Sequence, residues 1–71
     1  MSHVHMIEIS LNGEPIQVPA GSLHTLIANT NPPGQPVAAA INGEFVPRSQ
    51  HQQTQLQDGD LVDLVSPVGG G

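Results

Sequence analysis

An α+β roll of two layers is the fold class this sequence predicts, with one short helix packed across a sheet of four to five strands. Three observations lead there. Two Asn-Gly pairs, Asn12-Gly13 and Asn42-Gly43, each stand between alternating apolar residues. One apolar stripe at helical spacing lies between them and is closed by prolines. A last alternating segment follows Asp58-Gly59. A sheet of hairpins with a helix on one face buries its apolar side in two layers.

The first hairpin is MIEISLNGEPIQV. Ile7, Ile9 and Leu11 alternate with Glu8, Ser10 and Asn12, the period-two pattern of a half-buried strand. Asn-Gly accepts the positive φ angles of a tight type I′ turn. Ile16 and Val18 continue on the return, and Pro19-Ala20-Gly21 breaks it. Ser22 is placed to cap a helix, on which Leu23, Leu26 and Ile27 form one stripe. Asn31-Pro32-Pro33-Gly34 ends it, since proline lacks the amide and disfavours helix in the residue before it. Two turns are not stable alone, so the helix must lie on the sheet.

The second hairpin, PVAAAINGEFVP, puts Val37, Ala39 and Ile41 on one face. Its small alanines suit a central strand closely covered by a helix. Pro47 limits the next strand to a short edge piece. RSQHQQTQ reads as polar and irregular. Residues 61–66 form the last strand, with Val62 and Leu64 on one face and Leu61, Asp63 and Val65 on the other. The order is ββ-α-ββ-β. The apolar residues left on the outer face, Leu61 and Val65 with Phe45, make that face a candidate docking surface.

The 71 residues suggest one domain over 6–66, with residues 1–5 as a flexible extension and 67–71 as a flexible glycine tail. The opening MSHVH has no signal-type apolar stretch and reads as a mobile end or an expression remnant, with Met6 a possible original start. With 37% hydrophobic residues the core is thin; a domain this small is expected to hold roughly 3–5 kcal/mol from its core. There is no cysteine, so no disulfide and no thiolate chemistry, in keeping with a cytoplasmic setting. The net charge is −5 and Arg48 is the single Lys/Arg residue. That balance argues against nucleic acid and anionic membrane surfaces and favours a partner with a basic face. No apolar run approaches the roughly 20 residues of a membrane span.

The chain closes on SPVGGG. One reading is a frayed terminus. The other uses glycine's lack of a Cβ: such a tail threads a cleft too narrow for any other sequence. It would carry a terminal carboxylate into a second protein's active site. A carboxylate is a poor electrophile, so acyl transfer from it needs ATP and adenylation by that partner. The chain contains no lysine, so an activated end would find few amines of its own to acylate.

Four stretches together resemble a known family: MIEISLNGEPI, VAAAINGEFVPRS, LQDGDLVDLV and the terminal PVGGG, in order and spacing over Met6 to Gly71. The chain is similar to the ubiquitin-like β-grasp sulfur carriers, most closely those of thiamin biosynthesis. The resemblance implies a mixed sheet and a carrier that is not itself an enzyme, a monomer on its own. It implies that Gly71 is adenylated by a ubiquitin-activating-type adenylyltransferase using ATP and Mg. Sulfur from a cysteine desulfurase then makes a thiocarboxylate, which thiazole synthase uses. Pro67, Val68, Gly69 and Gly70 would thread the partner's active site, with Leu61, Val65 and Phe45 on the docking face. No cofactor is implied for the carrier itself. Two departures stand out. Gly69 is a third glycine where a bulkier residue is usual, and His51 stands where an aromatic often follows Val46-Pro47-Arg48. The end also resembles the small subunit of molybdopterin synthase; the Val-Pro-Arg-Ser run and the short chain favour thiamin. A β-grasp interaction module with an inert tail is the remaining alternative.

The other side chains carry less. His3 and His5 could bind nickel or copper as a pair, but structural sites want about four ligands, so no metal site is assigned. His24 is expected to be exposed. No Ser/His/Asp set has supporting context. Arg48 reads as a solvated charge near an edge strand.

Overall fold

The computed structural model describes residues 5–31 and 34–66. The elements are β1 (Met6–Leu11), β2 (Glu14–Pro19), α1 (Leu23–Thr30), β3 (Ala38–Ile41), β4 (Glu44–Val46) and β5 (Leu61–Val65), with a 3₁₀ turn over Arg48–Gln50. The five strands form one sheet in the order β2-β1-β5-β3-β4. β1 and β5 are parallel, and the other pairs are antiparallel. This is the mixed sheet with one helix that the family resemblance implies.

Both Asn-Gly turns take the predicted form. Asn12 and Gly13 have φ of 52° and 88°, and Asn42 and Gly43 have 53° and 83°. These left-handed angles give the turn the twist of its flanking strands. The alternation is also as read. Ile7 and Ile9 of β1 and Val62 of β5 are buried, while Leu61, Asp63 and Val65 face out. Leu23 and Leu26 of α1 complete the buried cluster with Ala39 and Leu56, and Ile27 packs against it.

Two readings change. The central strand is β5, not β3, which lies one in from the β4 edge. Of the three alanines only Ala39 is buried; Ala38 is exposed and Ala40 half-buried. The parallel β1–β5 pairing puts the last strand in the middle, and no local pattern announces a pairing fifty residues away. The second change concerns RSQHQQTQ. It holds the 3₁₀ turn, and His51 after it is buried, with Nε2 3.1 Å from the Val46 carbonyl. That hydrogen bond lets an imidazole occupy a buried position.

The same segment completes α1. A helix leaves its first amides without internal partners. Here Leu23 N–H donates to the Thr54 carbonyl at 2.8 Å and His24 N–H to the His51 carbonyl at 3.1 Å. Thr25 N–H donates to the Ser22 Oγ cap at 3.2 Å. Leu56 N–H donates to the Gly21 carbonyl at 2.8 Å and seats the Leu56 side chain in the core. The polar loop is therefore a brace along the helix N-terminus. Among the described residues no helix is long and apolar enough to cross a membrane.

Candidate functional site: the tail-bearing strand and the outer sheet face

The strand leading to the glycine tail is held from both sides by the two turn asparagines. On the parallel side, Ser10 N–H donates to the Asp60 carbonyl and Asn12 N–H to the Val62 carbonyl, both at 2.9 Å. The next rung comes from a side chain: Leu64 N–H donates to Asn12 Oδ1 at 2.9 Å. The backbone has already turned away at Asn12, and its amide oxygen continues the ladder. On the antiparallel side Asn42 N–H donates to the Leu61 carbonyl at 2.7 Å. Leu61 N–H returns the bond to Asn42 Oδ1 at 3.0 Å. Each asparagine thus makes a left-handed turn and replaces its own carbonyl with its side chain.

The Asp-Gly-Asp turn fixes where β5 begins. Asp58 Oδ1 accepts from Glu8 N–H at 2.8 Å, and Gly59 N–H donates to the Glu8 carbonyl at 2.7 Å. Asp60 Oδ2 accepts from Gln57 N–H at 2.8 Å, and its Oδ1 accepts from Asn42 Nδ2 at 3.2 Å. Both carboxylates hold backbone and turn rather than forming a separate acidic site. At the far end of β5, Ser66 Oγ accepts from Asn31 Nδ2 at 3.2 Å. The root of the tail is therefore tied to the C-terminus of α1.

The three candidate docking residues lie on one face. Leu61 and Val65 point outward from β5, at 57% and 62% exposure. Phe45 of β4 is 68% exposed. It pairs with Ala40, which in turn pairs with Asp63 of β5, while Ala38 pairs with Val65. The outward alanines are short, so the larger side chains stand above a low floor. Met6, also exposed, is a further large apolar residue. The candidate tail residues Pro67, Val68, Gly69, Gly70 and Gly71 lie outside the described residues, as does His3. Among the described residues no group of three or more His, Asp or Glu side chains is placed to hold a metal ion. His24 is exposed, as expected, and Arg48 opens the 3₁₀ turn at the surface. A groove between α1 and this turn is lined by Ile27, Ala28, Val37, Arg48, Ser49 and Gln52, among others. Among the described residues it contains no Ser/His/Asp arrangement.

Comparison with known proteins decides the family. The ThiS family model matches residues 9–71. The chain belongs to the ThiS family. A relative, the sulfur carrier protein ThiS of Escherichia coli (strain K12), is 35% identical over 66 residues, covering 92% of this chain and 100% of the relative. The crystal structure of the thiamine biosynthesis protein ThiS from Geobacter metallireducens superposes with a TM-score of 0.76 at 28% identity. That match covers 92% of this chain and 100% of the other. The family match runs from within β1 through the other four strands to Gly71. The β-grasp fold expected from the four sequence stretches is the fold observed.

What sequence reasoning missed here is the second use of each asparagine. Asn-Gly signals a turn, but nothing local shows that the same amide will pin a third strand. The Asn31–Ser66 bond was also unread, because its partners are 35 residues apart.

Proposed function

We propose that this chain is the sulfur carrier of thiamin thiazole formation and that it works as a protein co-substrate. A Gly71 carboxylate oxygen attacks the α-phosphorus of ATP in a partner adenylyltransferase of the ubiquitin-activating type, with Mg. Pyrophosphate leaves and an acyl adenylate remains. A persulfide, supplied through a cysteine desulfurase, attacks the acyl carbon and AMP departs, leaving an acyl disulfide. A second thiol, as reductant, attacks the sulfur on the partner's side of that S–S bond, forming a disulfide with it and releasing the thiocarboxylate on Gly71. Thiazole synthase then takes the sulfur. The observation that carries this reading is the family match, which runs through the glycine tail.

The physical chemistry supports it. Ordering a five-residue tail in a cleft costs roughly 1–2 kcal/mol per residue. Burying an apolar side chain contributes about 1.5–3 kcal/mol. Covering Phe45, Leu61 and Val65 offsets a tail cost of the same order, so face and tail act as one recognition unit. With no lysine in the chain, the activated end is protected from acylating its own side chains.

The test is growth without thiamin of a bacterium lacking its own carrier. The intact chain should restore growth, and a chain lacking Gly71 should not. Rescue by the shortened chain would remove the tail from the mechanism and leave a docking module.

A further inference from the structure

We propose that Asn31 is a positioning residue for the tail, acting through Ser66 to fix where and in which direction the tail leaves the fold. Asn31 caps the C-terminus of α1 in an extended conformation, φ −128° and ψ 150°, with its N–H bonded to the Ile27 carbonyl at 2.9 Å. Its Nδ2 donates to Ser66 Oγ at 3.2 Å in a partly buried position. Thr30 Oγ1 lies 2.9 Å from Asn31 Oδ1 and 2.8 Å from the Leu26 carbonyl, and its single proton is shared between them. That contact presents the amide with its nitrogen toward Ser66.

Both partners of the bond stand directly before a proline, Asn31 before Pro32 and Ser66 before Pro67. Proline disfavours helix in the preceding residue. The helix stops at Asn31 accordingly, and Pro67 biases Ser66 toward extended backbone in the same way. The bond joins two points that the sequence itself holds open for it. β5 ends at Val65, whose pairing with Ala38 is the last rung of that ladder. Ser66 follows that last pair, and the Asn31 side chain holds it through its hydroxyl. Without the clamp Ser66 is no longer tied to the fold, and a partner must order one or two more residues to place the terminal glycine. This consequence rests on the carrier reading above; the clamp itself does not.

The experiment compares the intact chain with Asn31→Ala, Ser66→Ala, the double variant and Ser66→Thr, which keeps the hydroxyl acceptor. Amide hydrogen exchange at Val65 and Ser66 should speed up by about three- to tenfold in the alanine variants, the usual range for one hydrogen bond. Ile9 and Val62 should stay protected, and Ser66→Thr should behave as the intact chain. With the adenylyltransferase, kcat/KM for adenylate formation should fall by about the same factor. The double variant should be no worse than either single one. Chains cut after Ser66 should bind the enzyme equally with and without Asn31→Ala. Unchanged exchange in Asn31→Ala would overturn the clamp. Unchanged kcat/KM, or a parallel loss of binding by the cut chains, would overturn the positioning role. An intact chain that is never adenylated would overturn both the carrier reading and the positioning role, while the exchange data still decide whether the clamp exists.

Discussion

Asn12 Oδ1 accepts the backbone N–H of Leu64 at 2.9 Å, across fifty-two residues of chain. The contact makes one side chain serve the first hairpin and the last strand together. Folding of the β1–β2 turn therefore prepares the acceptor that β5 needs. Asn42 does the same from the other hairpin through Leu61.

This double role separates two substitutions at position 12. Asn12→Gly keeps the left-handed turn and loses only the bond to Leu64, at a cost of about 1 kcal/mol. Asn12→Ala keeps a Cβ at φ of 52° without the local side-chain hydrogen bonding that lets asparagine tolerate it, adding roughly 1 kcal/mol more. Urea unfolding should rank the intact chain above Gly and Gly above Ala. Equal stability of all three would show that the side chain contributes nothing to β5.

The core is small enough for one side chain to decide folding. Leu23 is fully buried, against the sheet and beneath the Thr54 brace. Leu23→Ala should cost about 2–5 kcal/mol, against a core contribution of roughly 3–5 kcal/mol for a domain this size. Circular dichroism at room temperature should show a substantially unfolded population. A cooperative melt near that of the intact chain would mean that the cavity collapses or that the core is stronger than its size suggests.

Leu61 and Phe45 should behave in the opposite way. Both are exposed, so Leu61→Ala and Phe45→Ala should shift stability by no more than about 0.5 kcal/mol. If the outer face docks the adenylyltransferase, each should weaken binding by roughly tenfold or more, as truncation of apolar anchors does. Calorimetric titration gives the affinity, and thermal melts give the stability. Unchanged affinity in both variants would move the docking surface elsewhere.

The ease of reading these elements in the sequence followed their range. Asn12-Gly13, the Ser22 cap and the Leu23-Leu26-Ile27 stripe are local signals, and each formed the element it announced. The alternation at Leu61 to Val65 assigned faces correctly because a strand has only two. The central place of β5 was not legible, since it depends on a parallel pairing of Leu11 with Val62. The brace formed by His51 to Leu56 was hidden for another reason. It works through backbone carbonyls at His51 and Thr54, and side-chain polarity there suggested only a loop. At the candidate site, the outward apolar residues could be read directly, whereas the asparagine clamps required the strands they join.

The most direct measurement is an intact mass spectrum of the chain ending at Gly71, after incubation with ATP, Mg, a bacterial carrier-activating adenylyltransferase and a sulfide source. The account predicts the increment of one sulfur replacing one oxygen, localised by fragmentation to Gly71 and absent when Gly71 is deleted. An unchanged mass, with the same enzyme preparation converting a control carrier, would contradict it.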